Sequence, residues 1–339
     1  MGAPQENPEP LPPVPSRMSA FAANARSASG RYPGYVRSSL LNRGRNTGPG
    51  NPAFREEWAA LPNQRGVSAI CWLGHNSVLL RLDGRTLLLD PVLSERIGLR
   101  IPGATIGPGR LSPVPVTPDQ LPTPDLVLVT HAHFDHLDRP TLRALASHRT
   151  RVLTARGTRR LIPRGFGAIH ELDWNQTTDI DGLNIHALRP NHWGARTAWD
   201  RHRGYNAYTL SVPETRVLYA GDSAFTRTFD EKGPFDLGIF GIGAYDPWIH
   251  AHANPEQVWE MATGARCRTL LPVHHSTFKL SDEPLEEPLA RLLAAAGRAA
   301  GEAVVVPDSQ VIPATYPLVM PLSPGEIRAF GSRAGDGIP

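Results

Sequence analysis

Short apolar runs recur along the chain from about residue 67 onward, separated by turn-forming glycine, proline and aspartate residues. The first runs, 67–73, 77–82 and 86–89, follow one another closely, and the pair Asp83-Gly84 is typical of a tight turn between the last two. This spacing predicts an antiparallel meander of three strands. A longer excursion rich in glycine and proline, 97–124, is either a functional loop or locally disordered.

The rest of the pattern mixes strands with helices. The run DLVLVT at 125–130 predicts a buried strand, and further strands are predicted at 151–154, 182–188, 206–212, 216–220, 236–242 and 269–273. Helices are predicted at 53–60, after Pro140, at 255–263 and at 284–296; proline opens the last three and is well tolerated in a first helical turn. Together these elements predict an α/β body built in layers.

Composition divides the chain into three parts. Residues 1–30 are rich in proline, alanine and serine, which predicts disorder, and 31–66 are expected to lie over the body as an ordered extension. We therefore expect a disordered to extended N-terminal arm, 1–66, a main domain, 67–310, and a C-terminal tail, 311–339.

Charge is nearly balanced over the whole chain, with a formal net charge of +3, but it is not balanced in the arm. No acidic residue occurs between Glu9 and Glu56, whereas arginine recurs there, at Arg17, Arg26, Arg31, Arg37, Arg43, Arg45 and Arg55. Such an arm could contact anionic lipid or nucleic acid, or it could be a solvated extension.

The sequence contains neither an export signal nor an apolar run of about 18 residues, so we expect a cytoplasmic protein that could bind a membrane peripherally. Its two cysteines, Cys71 and Cys267, lie inside apolar runs and can form neither a disulfide framework nor a thiolate metal site. We expect both to be small core residues.

The segment HAHFDH, directly after the strand at 125–130, concentrates side chains that bind divalent metals. His131 and His133 alternate at the strand end, while Asp135 and His136 face elsewhere, so the two pairs are suited to two adjacent ions. Further ligand-type side chains follow other predicted strands, namely Asp90, His192, Asp222 and His274. Asp222 alone could equally be a turn or helix cap, but the recurrence at five strand ends favours a shared metal site.

In this order, the motif residues resemble those of the metallo-β-lactamase-fold hydrolases over roughly residues 67 to 280. Within that superfamily, several sequence segments resemble those of the N-acylphosphatidylethanolamine-hydrolysing phospholipase D branch and its bacterial relatives. The segments that carry this second resemblance are WLGHNSVLL, DPVLS, ELDWN, NHWGAR, AGDS, GPFDLGIFGIGAYDPW, HANPEQ and HHSTF.

The resemblance implies an αββα sandwich that binds two Zn²⁺ ions, with iron or manganese as alternatives. It implies His131, His133 and His192 at the first metal, Asp135, His136 and His274 at the second, and Asp222 bridging both. Asp90 would orient a ligand histidine. The adjacent His275 leaves the choice between His274 and His275 open.

Asp135 and His252 are the catalytic candidates that the resemblance implies. His252 could donate a proton to a leaving group or bind a phosphate oxygen, or it could be a surface histidine that flanks a helix. His75 is expected to be structural, near the floor of the site. Tyr245 and Trp248 could line a substrate pocket or serve only in packing, and His186, His202 and His250 have no assigned role.

The implied function is a phosphodiesterase of the phospholipase D type that acts on N-acylphosphatidylethanolamine-like phospholipids through a metal-bridging hydroxide. The same fold could instead hydrolyse a lactone, a thioester or a nucleic-acid phosphodiester, or serve a non-catalytic metal-binding protein. We expect a small-molecule or phospholipid partner, peripheral contact of the Arg-rich arm with anionic membrane, no specific nucleic acid, and a homodimer as one assembly.

Overall fold

The computed structural model describes residues 50–61, 68–197, 200, 202–301 and 317–331, with single positions at 30, 33, 34 and 37. The predicted disorder of 1–30 and nearly all of the Arg-rich arm therefore lie outside the described residues and stay predictions. Among the residues described, no helix is both long and apolar enough to cross a membrane.

Strands dominate the described part of the chain. They are β1 Ser68–Gly74, β2 Ser77–Leu82, β3 Arg85–Leu89, β4 Leu99–Ile101, β5 Ala104–Ile106, β6 Leu126–Val129, β7 Arg151–Ala155, β8 Ala168–Leu172, β9 Thr177–Ile180, β10 Leu183–Leu188, β11 Ala207–Val212, β12 Thr215–Tyr219, β13 Phe235–Gly241, β14 Cys267–Val273, β15 Leu318–Val319 and β16 Ile327–Phe330. The α-helices are α1 Phe54–Ala60, α2 Arg139–Ala144, α3 Pro255–Gly264 and α4 Glu287–Gly301, and Arg159–Leu161 is a short 3-10 helix.

Two seven-stranded sheets form the body, with strand orders β16-β1-β2-β3-β6-β7-β8 and β15-β14-β13-β12-β11-β10-β9. In the first sheet β1, β2 and β3 are antiparallel, which confirms the predicted meander, and β3, β6, β7 and β8 are parallel. In the second sheet β9 to β12 are antiparallel, and β12 to β15 are parallel.

These directions bring particular strand ends to one edge of each sheet. Because β1 and β3 both run opposite to β2, β1 ends at the same edge as β3 and its parallel neighbour β6. By the same reasoning, β10 ends beside β12 and β14 in the second sheet. Residues that follow β1, β3 and β6 therefore lie at one edge of the first sheet, and residues that follow β10, β12 and β14 lie at one edge of the second.

Three apolar layers hold the sandwich together. Alternate side chains of β1 and β2, such as Ile70 and Leu80, meet side chains of the second sheet such as Tyr219 and Ile239 between the sheets. The outer face of the first sheet is covered by α1 and α2, and that of the second by α3 and α4. This confirms the αββα arrangement, and it explains why many strands are continuously apolar: both of their faces are buried.

Both cysteines are buried core residues with free thiols, as predicted. Burial raises the pKa of Cys71 and of Cys267 to about 12, so neither is a thiolate at neutral pH.

Helix α1 belongs to the body although it lies within the predicted arm. Phe54 and Trp58 are buried against the outer face of the first sheet. Arg81 Nη2 donates to the carbonyl oxygen of Trp58 over 2.6 Å, and its guanidinium lies 5.0 Å from the Trp58 ring centre. The predicted helix at 53–60 is thus confirmed and is fixed to β2.

The elements that the pattern did not predict are short or lie at sheet edges. They are the hairpin β4–β5, which shows that the 97–124 excursion is ordered there, and the strands β8, β9, β15 and β16. β8 and β9 expose many side chains, and β15 is two residues long, so neither burial nor length marks them in the sequence. β15 and β16 lie in the predicted tail and add a strand to each sheet.

Replacing Phe330 with Ala tests whether the chain after residue 317 is part of the folded body. Phe330 is 4 % exposed in the layer between the sheets, so its loss should lower the free energy of unfolding by about 3–5 kcal/mol. The measurement is denaturant unfolding. Arg328→Ala, an exposed neighbour on the same strand, is the matched control and should change stability by at most about 0.5 kcal/mol. Equal small effects would show that β16 contributes little to the body.

Candidate metal centre

A histidine or an aspartate follows each of six strands, namely β1, β3 and β6 of the first sheet and β10, β12 and β14 of the second. His75 follows β1, Asp90 follows β3, and the 131–136 segment follows β6; His192, Asp222 and His274 come after β10, β12 and β14. The structure brings all of these side chains together, and most of them are buried. Strand direction within each sheet, together with the packing of the two sheets, therefore builds the site.

The first group contains His131, His133, His192 and Asp222, whose ligand atoms all lie within 4.8 Å of one another. His131 Nε2 is 2.9 Å from His133 Nδ1, and His192 Nε2 is 3.4 Å from that same atom. Asp222 Oδ2 lies 3.7 Å from His131 Nε2 and 3.6 Å from His192 Nε2. Three imidazole nitrogens and one carboxylate oxygen thus face a common point.

The second group contains Asp135, His136 and His274, together with His75. Asp135 Oδ2 lies 3.5 Å from His274 Nε2 and 3.7 Å from His136 Nε2. Asp222 also reaches this group, with Oδ2 at 3.0 Å from His136 Nε2 and Oδ1 at 3.3 Å from His274 Nε2. The Asp222 carboxylate therefore stands between the two groups and contacts both.

Buried polar atoms at the centre support its fit to metal ions. Within the described chain, Asp222 Oδ1 and Oδ2, His136 Nε2 and His274 Nε2 are buried, and although the oxygens lie 3.0 and 3.3 Å from the nitrogens, none of these atoms makes a well-oriented hydrogen bond. Burying such atoms without partners is costly, and coordination of a cation would satisfy them. Imidazole nitrogens and carboxylate oxygens are ligands that zinc accepts, and iron accepts them too.

The protonation states also suit coordination in the first group. Burial, together with neighbouring imidazoles, lowers the pKa of His131 and holds that of His133 at about 3, so both rings are neutral at neutral pH. Burial alone would raise the pKa of Asp222, but the facing imidazoles of His136 and His274 outweigh it and hold the pKa well below the usual range. A neutral imidazole and an ionised carboxylate are the forms that bind a metal.

In the second group the carboxylates reverse the effect of burial. Burial would lower the pKa of His274, but Asp222 and Asp135 raise it to about 9, and the pKa of His136 is raised well above its usual value by the same two carboxylates and Asp90. Protons on these rings balance the buried negative charge, and a bound cation would replace them.

Asp90 orients the ligands from beneath. Its Oδ2 accepts from His136 Nδ1 over 2.7 Å and from the Thr130 hydroxyl over 2.6 Å, and its Oδ1 accepts from the Thr130 backbone N–H over 2.7 Å. Because the Thr130 hydroxyl donates to Asp90, its oxygen accepts from His131 Nδ1 over 2.9 Å. Asp90 thus fixes the rings of His136 and His131 with Nε2 directed into the site.

Other backbone and side-chain contacts hold the remaining parts of the site. His192 Nδ1 donates to the Ala251 carbonyl over 2.9 Å, which leaves Nε2 for the first group. Arg196 Nη1 donates to the carbonyl oxygens of Ala132 and Leu137, both over 2.9 Å, and so closes the HAHFDH loop. Gly221, with φ at +59°, allows close packing before Asp222, because a Cβ there would lie 2.9 Å from Thr130 Cγ2.

The structure shows which of His274 and His275 lies at the site, and where His252 lies. His274 lies in the second group, whereas His275 is half-buried and stacks on Trp72 with ring centres 4.9 Å apart. His252 lies at the site, with Nδ1 3.9 Å from Asp222 Oδ2 and its ring centre 5.2 Å from that of His274. It is therefore not a surface histidine.

His75 contributes more than the sequence predicted. Its Nε2 lies 3.1 Å from Asp135 Oδ2, so a hydrogen bond from His75 can orient that carboxylate. The predicted antiparallel meander implies that β1 and β3 end at the same edge of the sheet, which could have indicated that His75 lies beside Asp90 at the site. The roles of Arg196 and Thr130 were also missed, although both lie in or beside the motifs. By contrast, Tyr245 packs near α4, where its hydroxyl donates to Glu287 Oε1 over 2.8 Å.

The sequence matches the family described as the beta-lactamase superfamily domain over residues 85–275. These residues include most of the strands and every candidate ligand except His75. The chain therefore belongs to the beta-lactamase superfamily, as a member of the metallo-β-lactamase-fold hydrolases that its motifs predicted.

Relatives support the predicted branch. The chain is 36 % identical over 247 residues to an uncharacterised protein of Mycobacterium tuberculosis, an alignment that covers 67 % of this chain and 64 % of that protein. It is 29 % identical over 230 residues to N-acyl-phosphatidylethanolamine-hydrolyzing phospholipase D 1 of Caenorhabditis elegans, covering 62 % of this chain and 64 % of the relative. The chain thus spans somewhat less than two thirds of the length of both relatives.

Among solved structures, CmlA, a diiron beta-hydroxylase from Streptomyces venezuelae, shares the fold with a TM-score of 0.54. The two are 21 % identical, and the match covers 80 % of this chain and 55 % of CmlA. At this identity the likeness concerns the fold alone.

Replacing Asp90 with Asn tests how far metal affinity depends on the oriented imidazoles. The amide cannot accept as strongly from His136 and Thr130, so we expect metal affinity to fall by about 10–100-fold while the fold is kept. Competition with a chromogenic chelator measures the affinity, and circular dichroism checks the fold. Asp83→Asn, in the β2–β3 turn, is the control. Wild-type affinity in Asp90→Asn would show that this contact does not tune the ligands.

Proposed function

We propose that the chain is a dinuclear metal-dependent hydrolase, and that it is a phosphodiesterase of the phospholipase D type. The observation that carries this proposal is the Asp222 carboxylate, which contacts two separate groups of ligand side chains. A carboxylate shared in this way is suited to two ions held close together.

The proposed ligands follow the two groups. His131, His133 and His192 would hold one ion, Asp135, His136 and His274 would hold the other, and Asp222 would bind both. When bound, two such ions supply positive charge that stabilises phosphoryl oxygens and lowers the pKa of water towards neutrality. We propose zinc, and the likeness of the fold to a diiron enzyme keeps iron as the alternative.

The protein's own residues would position the reactants and move the proton. The side chain of His252 is 16 % exposed, so it borders solvent and the site at once. Burial lowers the pKa of its ring well below the usual value, so the ring is neutral at neutral pH and would have to gain a proton in the site before giving it to the leaving oxygen. His75 and Asp90 keep Asp135, His136 and His131 in fixed orientations, which removes the need for reorganisation during the reaction.

The proposed substrate is a phospholipid similar to N-acylphosphatidylethanolamine. The name and identity of the Caenorhabditis elegans relative support this class. Exposed apolar side chains beside the site support it as well: Trp193 follows His192 and Ile249 lies near His252, each 38 % exposed. Apolar surface next to a polar centre fits a molecule with both a charged group and acyl chains.

Peripheral membrane contact through the Arg-rich arm, a cytoplasmic location and a homodimer are part of the same proposal. The alternatives use the same site differently: the substrate would be a lactone, a thioester or a nucleic acid, or the protein would bind metal without catalysing a reaction.

Replacing Asp222 with Asn tests the dinuclear site. The purified wild-type protein should contain two metal equivalents by elemental analysis and hydrolyse bis(p-nitrophenyl) phosphate in a chelator-sensitive manner. Asp222→Asn removes the shared negative charge, so bound metal should fall below two equivalents and turnover should fall at least about a thousandfold. Asp230→Asn, away from the site, is the control. A variant with two metals and wild-type turnover would exclude the proposed role of Asp222.

Replacing His252 with Gln separates proton donation from metal binding. As a proton donor, His252 should matter for the alkoxide leaving group of N-acylphosphatidylethanolamine, where we expect kcat to fall by about 10²–10⁴-fold. It should matter far less for p-nitrophenolate, which leaves without a proton. Release of N-acylethanolamine and of p-nitrophenolate are measured on the same preparation at equal metal content. Equal losses on both substrates would mean that His252 acts by another route.

A further inference from the structure

A second polar site lies beside the metal centre. A cavity of about 240 Å³ borders the HAHFDH loop on the side of Phe134, and four arginines line it, Arg96, Arg100, Arg139 and Arg196. Asp138 is its single carboxylate. Four guanidinium groups against one carboxylate give the cavity a strong positive potential.

Asp138 is already engaged with neutral partners. Its Oδ2 accepts from the Ser94 hydroxyl over 2.6 Å and from the Thr141 hydroxyl over 2.5 Å. These bonds tie the carboxylate to the start of α2 and to the loop after β3. Because Asp138 carries a single negative charge, it offsets only a part of the positive charge of the four arginines that line the cavity.

Two of the arginines are held in place by the backbone. Arg96 Nη1 donates to the Gly107 carbonyl over 2.9 Å, and Arg196 Nη1 donates to Ala132 and Leu137 while its guanidinium lies 4.0 Å from the Phe134 ring centre. Burial lowers the pKa of Arg196 to about 10, and the charge of Arg139 acts in the same direction, while the carboxylates of Asp138, Asp135 and Asp200 act against both. Arg196 remains charged at neutral pH, and an anion in the cavity would relieve its repulsion with Arg139.

The hairpin that carries Arg100 is fixed by close backbone contact at its base. A Cβ added to Gly98 would overlap the carbonyl oxygen of Ile106, and a Cβ on Gly107 would overlap that of Ile97. The wall of the cavity formed by β4 and β5 is thus set by the fold, and the ends of Arg100 and Arg139 complete it from the exposed side.

We propose that this cavity binds a phosphate group next to the metal centre. Guanidinium forks match phosphate oxygens in geometry and charge. The volume is below the roughly 300–1,000 Å³ of sites that enclose a whole small molecule, so it suits one charged group. Phe134, which lines the cavity, lies between the proposed ligand residues His133 and Asp135, so the cavity and the metal centre share the HAHFDH loop.

The phosphate is either a second phosphate of the substrate, which N-acylphosphatidylethanolamine itself lacks, or a free anion that regulates turnover. The first case rests on the proposed phosphodiesterase function, while binding itself does not. The two sources share one chemistry, and kinetics can separate them.

The test compares wild type with the double variant Arg100→Gln/Arg139→Gln. Both residues are exposed, and in the described part of the chain neither forms a hydrogen bond or an ion pair with a ligand residue. Calorimetric titration of the metal-loaded proteins with inorganic phosphate should show, besides any binding at the metal ions, a binding event that the double variant weakens at least about tenfold. The control variant is Arg149→Gln/Arg268→Gln, which removes the same amount of charge near the first residues of β7 and β14, at the ends of these strands away from the metal centre. It should bind phosphate as the wild type does.

Kinetics then assign the source. The p-nitrophenyl ester of thymidine monophosphate is used with and without a second phosphate on its sugar. If the double variant has a higher KM only for the ester with two phosphates, the cavity binds a phosphate of the substrate. If added inorganic phosphate changes the kcat of the wild type for the ester with one phosphate, and the double variant loses this effect, the cavity binds a free anion. Unchanged phosphate binding in the double variant would overturn the proposal. If neither ester is hydrolysed but binding is lost, the cavity stands and the phosphodiesterase function falls.

Discussion

A buried carboxylate, Asp90, joins the two sheets at the edge where the site lies. It is fully buried, and such a charge is stable only when donors surround it. Its donors come from both halves of the sandwich: Thr130 and His136 from the first sheet side, and the Tyr219 hydroxyl, 2.7 Å away, from β12 of the second sheet. These hydrogen bonds stabilise the arrangement of the two sheets in which His136 also lies opposite Asp222.

The site follows from this junction and from strand direction. Each sheet delivers its ligand residues at the ends of strands that run the same way, and the short loops after them need little length to converge. The cost of collecting so many polar groups in a buried place is reduced by the outer hydrogen bonds, which fix the rings of His131, His136 and His192 before any ion binds. Among the buried atoms that lack a hydrogen bond in the described chain are both Asp222 oxygens and the Nε2 atoms of His136 and His274, which coordination would satisfy.

Arginine has two uses around this centre. Arg196 and Arg110 close loops by donating to backbone carbonyls; Arg110, for example, donates to Leu73 and to Val92 over 2.9 Å. The fork of donors can bind two carbonyls at once, which a lysine cannot do in the same geometry. Where several such arginines line one cavity, structural fixation and a positive potential arise from the same side chains.

The sequence by itself determined the α/β class, the meander and most inner strands, because strands buried on both faces are continuously apolar and need no partner to be recognised. It also determined nearly all of the side chains that meet at the centre, because HAHFDH and the other strand-end residues are local patterns. Only the tertiary structure decided which of His274 and His275 faces the site, how His75 contacts Asp135, and that β15 and β16 extend the sheets. The same is true of the arginine cavity. Each of these depends on strand pairing and packing between segments far apart in the chain, and no local pattern of residues encodes such contacts.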